Sequence, residues 1–287
     1  MKQAAFLYNV RSGHGYIADY TEHIRNIFAE YDYDLELLPI DFAVNPFEGR
    51  ESIELMVVAG GDGTVNFAVN SMRALGLDIP LGVIPAGTAN DFAGALGMSF
   101  NLREAARQIA SGREERVDCG CVNGRWFVNI CSFGLFTTTS QHTPDRRKRQ
   151  IGRFAYLLEG SKELRKMHAI PLRVSADGKT FHCKVLMALI FNGETAGGFR
   201  LAHDSSIRDG RFDCLLLEKK NFFRSLYDMV RYATGSMPKS VRFLRVHRLE
   251  LLSPIDEPTD VDGQPGPRFP LQIECRRGAL RVRVPAE

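Results

Sequence analysis

Leu55-Met56-Val57-Val58-Ala59-Gly60-Gly61-Asp62-Gly63-Thr64-Val65-Asn66 is the stretch that decides the fold. Five apolar residues run directly into paired glycines, and the residues that follow can continue as a helix. Further on the plan recurs: Leu81-Gly82-Val83-Ile84-Pro85 leads into Gly87-Thr88-Ala89-Asn90-Asp91-Phe92. Short apolar runs bounded by turn residues read as buried strands. Two strand–turn–helix units, each with glycine and aspartate at the turn, describe a nucleotide site at one edge of an α/β sheet. Glycine lacks a Cβ, so its backbone can approach a phosphate closely and adopt positive φ. The first N–H groups of the next helix have no internal partner and point into that space. Thr64 can cap the helix or bind phosphate, and an aspartate beside phosphates serves a metal or its waters. A lone glycine pair would read better as an ordinary turn; the recurrence reverses that and argues for the nucleotide site.

Outward from these turns, residues 4–9 form an apolar strand that ends in the turn Tyr8-Asn9-Val10-Arg11-Ser12-Gly13. A helix is expected over about Ala18 to Glu30, with Ile24, Ile27 and Phe28 on one face. Leu35 to Ile40 alternates as a second strand, and Leu102 to Ala110 reads as a helix ended by Ser111-Gly112. Such β–α alternation predicts a parallel sheet with helices on both faces. After about Asp118 strand-like runs dominate: Arg125 to Cys131, Pro171 to Ser175, Phe181 to Phe191, Arg211 to Leu217, His247 to Leu252, Leu271 to Glu274 and Leu280 to Val284. Asp177-Gly178, Asp209-Gly210 and Arg277-Gly278 separate several of them as turns. Helical stretches at about 151–166 and 221–233 interrupt the pattern. The reading is an α/β nucleotide-binding domain over residues 1–118 and a mainly β, sandwich-like domain over 119–287.

Gly60-Gly61-Asp62-Gly63-Thr64 and Gly87-Thr88-Ala89-Asn90-Asp91 resemble the two signatures of the diacylglycerol-kinase catalytic domain, a family that includes bacterial soluble lipid kinases, sphingosine kinases and ceramide kinases. The first signature is shared with NAD kinases and phosphofructokinases; the second points to lipid kinases. The resemblance extends along essentially the whole chain. It implies phosphoryl transfer from ATP to a lipid hydroxyl, which needs phosphate cradling, metal charge and a base near the attacking hydroxyl. Asn9, Ser12 and Gly13 match the family's N-terminal nucleotide turn, where Val10 replaces the usual proline. Gly60, Gly61, Asp62, Gly63, Thr64 and Asn66 match the main nucleotide loop, and Thr88 and Asn90 the second. By motif, Asp62, Asp91 and Asp118 are the carboxylates that gather around the ATP magnesium, largely through water. Ser206 and Arg211, by their carbonyls, and Asp209, by its side chain, match a second, structural magnesium site of some bacterial members; a plain Asp-Gly hairpin accounts for the same residues.

Val261-Asp262-Gly263-Gln264 matches a third signature, which in the family reads Asp-Gly-Glu and supplies the base. Gln264 stands where the glutamate would be, and an amide cannot accept a proton at neutral pH. Either Asp262 carries the base role or the protein is a weak or inactive kinase. The first reading is preferred, because the other phosphate machinery is present and a loose phosphoryl transition state asks little of a base. Asp262-Gly263 is also a hairpin turn by composition. The competing functions are an NAD-kinase-like enzyme and a non-catalytic lipid- or nucleotide-binding protein.

Of the 287 residues, 44% are hydrophobic and 25% charged, the balance of a soluble globular protein. No apolar run reaches the length of a bilayer span, and the N-terminus reads as a strand rather than a signal peptide. The six cysteines include no C-x-x-C pair, which argues against zinc or a redox dithiol and for free thiols in a reducing compartment. A net charge of only +3 gives weak attraction to nucleic acid, so any charge effect is local. Arg146-Arg147-Lys148-Arg149, followed by Phe154, Tyr156, Leu157 and Leu158, suits an anionic lipid surface, and a solvated charged loop and helix face accounts for it nearly as well. The expected protein is cytoplasmic, meets ATP and its lipid substrate at the membrane surface, binds no nucleic acid, and has strand edges through which a homodimer can form.

Overall fold

The computed structural model describes residues 1–10, 17–134, 169–200, 202, 205–219, 227, 231 and 240–286. The first half alternates as expected: β1 (Lys2–Tyr8), α1 (Ile17–Ala29), β2 (Tyr33–Pro39), β3 (Leu55–Gly60), α2 (Asp62–Ala74), β4 (Leu81–Pro85), α3 (Asp91–Ala95) and α4 (Leu102–Ser111). β5 (Arg113–Val122), β6 (Arg125–Phe127), β7 (Ile130–Gly134), β8 (Ile170–Ala176) and β9 (Lys179–Phe191) follow. Two short strands, β10 (Thr195–Ala196) and β11 (Phe199–Arg200), precede β12 (Phe212–Glu218), β13 (Val241–Val246) and β14 (Arg248–Leu252). β15 (Thr259–Val261), β16 (Gln264–Pro265) and β17 (Leu271–Val284) complete the chain. The helical stretches expected at 151–166 and, apart from Tyr227 and Arg231, at 221–233 lie outside the described residues.

β4, β3, β1 and β2 pair in that order as parallel strands. Every residue of β3 and β4 is buried, so the sheet is covered on both faces, as continuous apolar runs require. α1 buries Ile24, Ile27 and Phe28, the face expected from their spacing. The C-terminal edge of this sheet carries the turn residues after β1, β3 and β4, which is where open α/β sheets bind ligands.

The second half is antiparallel and continues the same sheet through β17. Two expectations change here. Leu271 to Glu274 and Leu280 to Val284 form one strand, not two joined at Arg277-Gly278. Both halves of β17 pair with β5, and Gly278, at φ 56°, lies in a register shift between Arg276 and Leu280. A long unbroken partner strand turns a would-be hairpin into a bulge. Arg125 to Cys131 is not one strand but β6 and β7, interrupted at Val128 and Asn129. The sequence division between 118 and 119 falls inside β5. Leu280, Val282 and Val284 at the chain's end pack into the core of the first half. A second core contains Phe127, Phe133, Val174, Ile190 and Leu249.

Candidate active site

The paired glycine turns meet each other. A Cβ on Gly61 would lie 3.2 Å from the Gly87 Cα, and one on Gly87 would overlap the Gly61 backbone. A Cβ on Gly60 would collide with Thr64, which is buried in the first turn of α2. Gly61 and Gly87 are required by the approach of one turn to the other, and Gly60 by the Thr64 side chain, whereas the sequence reading gave approach to a phosphate as the reason. Asn9 continues β1 onto the same edge: its N–H donates to the Ala59 carbonyl at 3.1 Å, and its Nδ2 lies 3.5 Å from Thr64 Oγ1. Asn90 has left-handed backbone, φ 54°, and its side-chain amide brackets Gly87, accepting from its N–H and donating to its carbonyl. Thr88 is exposed beside it. Ser12 and Gly13 lie outside the described residues, as do Arg146, Arg147, Lys148 and Arg149.

Asp62 opens α2, yet its carboxylate caps a different helix. Oδ2 accepts the Asp91 N–H at 3.2 Å and Oδ1 the Phe92 N–H at 3.0 Å, the first amides of α3. These groups have no partner within their own helix. Asp91 is buried and holds the connection between β10 and β11, accepting the Gly198 N–H at 3.1 and 3.2 Å. Its carboxyl is raised above the usual range, first by burial and then by the charge of Asp62. A buried carboxylate whose charge is disfavoured by a neighbouring carboxylate is relieved by a cation beside it. That pair therefore fits a magnesium ion held largely through its waters.

Asp118 is turned elsewhere. It is 1% exposed, and its Oδ2 accepts the Gly210 N–H at 2.6 Å and its Oδ1 the Gly278 N–H at 2.8 Å. It thereby ties the Asp209-Gly210 turn to the β17 bulge. Among the described residues no three His, Cys, Asp or Glu side chains come together as a direct metal cluster. At the second expected site the Asp209 carboxylate has protein partners. One Asp209 oxygen accepts the Arg211 N–H at 2.9 Å and the other is paired with Arg245, which already balances its charge. Ser206 accepts the Arg208 N–H through its hydroxyl at 3.2 Å.

Asp262 lies between β15 and β16 in a two-residue hairpin with Gly263; both have positive φ, 50° and 83°. Its side chain points inward and is saturated. Oδ1 accepts the N–H groups of Asn129 at 3.0 Å and Ile130 at 2.8 Å. Oδ2 accepts the Val128 N–H at 2.7 Å and Asn66 Nδ2 at 2.8 Å. Three consecutive amides turned onto one carboxylate explain why the strand expected over 125–131 breaks there. Burial pushes the Asp262 carboxyl up to about 6, against the downward pull of these donors. Gln264 is exposed, with its Nε2 3.8 Å from where a Gly63 Cβ would stand, at the first turn of α2.

The two halves are joined along one face of α2. Asn66 and Asn70 both donate to the Trp126 carbonyl, at 2.9 and 3.0 Å, and Asn70 accepts the Trp126 N–H at 3.0 Å. Arg73 lies over the Trp126 ring at 5.1 Å. Residues 66, 70 and 73 recur at helical spacing, a signal that an amphipathic reading of apolar residues alone passes over. Asn129 is the other residue missed: 7% exposed, it donates its side-chain amide to Asp62 Oδ1 at 2.9 Å.

A model of the diacylglycerol kinase catalytic domain matches residues 3–122, and a model of the YegS C-terminal NAD kinase beta sandwich-like domain matches residues 129–284. The chain is 30% identical over 300 residues to a diacylglycerol kinase of Bacillus subtilis (strain 168), covering 100% of this chain and 98% of that one. It is 33% identical over 224 residues to a diacylglycerol kinase of Staphylococcus aureus (strain Newman), covering 77% of this chain and 71% of that one. In fold it is similar to the crystal structure of a diacylglycerol kinase from Bacillus anthracis str. Sterne, with a TM-score of 0.82 at 22% identity over 99% of this chain and 97% of that chain.

Proposed function

This chain belongs to the diacylglycerol kinase family, and on that premise we propose that it transfers the γ-phosphoryl group of ATP to the hydroxyl of diacylglycerol or a related lipid, with magnesium. The observation that carries the reading is the seam: Asp262 of the second half is bonded to Asn66 on the nucleotide helix of the first. An acidic group is thus brought beside the turns that suit ATP phosphates.

In this reading Gly60, Gly61, Gly63 and Gly87 let backbone approach the phosphates, and the free start of α2 faces their charge. Asp62 and Asp91 would hold magnesium through its waters, and that ion supplies positive charge where the transferred phosphoryl group carries negative charge. Asp262 takes the proton of the lipid hydroxyl. Its carboxyl, near 6, lies close to an operating pH near neutrality, which suits a base. To accept the proton it must release one of its four donors. Asn66 is the donor able to turn away, since the other three are backbone N–H groups. Among the described residues no helix is long and apolar enough to cross a membrane. Access to lipid would come from the membrane surface, with Arg146, Arg147, Lys148 and Arg149 as the contact.

The second reading is a nucleotide- or lipid-binding protein without turnover. The saturated Asp262 and the neutral Gln264 favour it. An assay with labelled ATP, magnesium and a mixed lipid extract separates the two. Transfer of label to lipid by the wild type, absent in Asp62→Asn, supports the kinase. No labelled lipid at any magnesium concentration would sink it.

A further inference from the structure

Asn129 touches both carboxylates on which the proposed chemistry rests. Its backbone N–H donates to Asp262 Oδ1 at 3.0 Å, and its side-chain Nδ2 donates to Asp62 Oδ1 at 2.9 Å. Its carbonyl accepts the Asn192 N–H at 2.8 Å, which fixes the residue at the end of β9. The NH2 end of the amide must face Asp62, because a carboxylate oxygen only accepts. Asn192 is itself fully buried and donates Nδ2 to the Asp118 and Val128 carbonyls at 3.0 and 2.9 Å. The segment that presents Asn129 is therefore held from both sides and has little freedom to follow Asp62 if Asp62 moves.

The lone pairs of Asp62 can be counted. Each carboxylate oxygen accepts about two hydrogen bonds. Oδ1 accepts from Phe92 N–H and from Asn129 and is full. Among the described residues Oδ2 accepts only the Asp91 N–H, at 3.2 Å, and keeps a lone pair. Without Asn129 the carboxylate would be held, among the described residues, only by α3, a five-residue helix of its own half, and either oxygen could serve.

We propose that Asn129 is a positioning residue: it occupies Asp62 Oδ1 from the second half of the chain and leaves Oδ2 as the oxygen that meets Mg–ATP. The proposal rests on the kinase reading above. It makes the geometry of Asp62 depend on the same β6–β7 break that binds Asp262, so one segment orients both carboxylates. Misplacing an outer partner of this kind by about 1 Å costs on the order of 10–100-fold in rate or metal affinity.

The test uses Asn129→Ala and Asn129→Asp in the full chain. Both keep the backbone N–H for Asp262. Asp preserves the side-chain volume but replaces the donor by an acceptor, so a merely packing role predicts that Asp is tolerated and Ala is not. The positioning role predicts that both lower kcat by roughly 30-fold or more while the lipid KM stays within about twofold. It also predicts Mg–ATP binding about tenfold weaker in both by calorimetry. An Asn129→Asp protein with wild-type kcat and Mg–ATP affinity overturns the proposal and leaves the kinase reading standing. If the wild type phosphorylates no lipid, the kinase reading fails, and the Mg–ATP titrations alone decide: weakening in both variants supports positioning, and unchanged affinity overturns it. A wild type that binds no Mg–ATP removes both.

Discussion

The Asp62 carboxylate accepts the backbone N–H of Phe92 at 3.0 Å, so the acidic residue of the first glycine turn caps the helix that follows the second. The two glycine turns are therefore one object. They are locked by glycine against glycine on one side and by a carboxylate on a helix start on the other.

Asp62→Asn should lose turnover with the fold retained. The Asn oxygen can still accept one N–H of α3, but its NH2 then opposes either the Asp91 N–H or the Asn129 amide. Loss of a cap costs about 1 kcal/mol, so the melting temperature should fall by only a few degrees. Loss of the charge beside magnesium should remove nearly all labelled lipid product. Near wild-type turnover at saturating magnesium would show that Asp62 serves the cap alone.

Gly87→Ala and Gly94→Ala form a second, paired test. A Cβ on Gly87 would overlap the Gly61 backbone, which cannot rotate away as a side chain can. Gly94 is exposed within α3, and its Cβ would meet only Phe100 Cζ at 4.0 Å. Gly87→Ala should abolish ATP binding and lower stability by a few kcal/mol, as overpacking does. Gly94→Ala should leave ATP binding intact and stabilise by up to about 1 kcal/mol. Equal behaviour of the two variants in calorimetry and thermal melts would overturn the contact.

Much of this was legible beforehand. The apolar runs of β3 and β4, the glycines after them and the Ile24, Ile27, Phe28 face of α1 each depend on local pattern, and local pattern is what periodicity reads. The seam was not legible. Asp262 and Asn66 stand 196 residues apart, and the alternation of Arg125 to Cys131 gives no sign that three of its amides leave the ladder for a distant carboxylate. Asp118 and Asp209 were recognisable by motif as candidate magnesium carboxylates, but which backbone and side-chain donors such a carboxylate meets is decided by tertiary neighbours. Here Gly210 and Gly278 donate to Asp118, and Arg245 pairs with Asp209.

Asp262 also makes stability depend on pH in a specific direction. Its carboxyl rises from 3.8 to about 6 on folding, so the folded state holds its proton more tightly. The stabilisation is fully present below the unfolded value and is lost as pH rises through about 6. Asp91 is shifted the same way, by burial and by Asp62. Asp262→Asn does not titrate, so its stability relative to wild type should improve from about pH 4 to about pH 7 and then level off. The full swing is about 3 kcal/mol at most. Denaturant melts across that range check it; a difference that does not change with pH would mean that the four donors cancel burial, and one of opposite slope that they outweigh it.

Gln264 carries the last prediction. Its Nε2 lies at the first turn of α2, 3.8 Å from where a Gly63 Cβ would stand, and an amide there cannot take a proton. If Asp262 is the base, Asp262→Asn should cost roughly 10²–10⁴ in turnover while ATP binding persists. Gln264→Glu would then add a charge that the start of α2 favours by about 0.3–1 kcal/mol. Phosphates nearby would repel it by about 1 kcal/mol in water. The two nearly offset, so ATP affinity should stay within about threefold of wild type, and turnover should be similar or modestly higher. The decisive result is the opposite pattern. A wild type inactive on every lipid, with activity created by Gln264→Glu, would place the missing base at position 264. Asp262, with its four donors, would then be the strut that holds the β6–β7 break against α2.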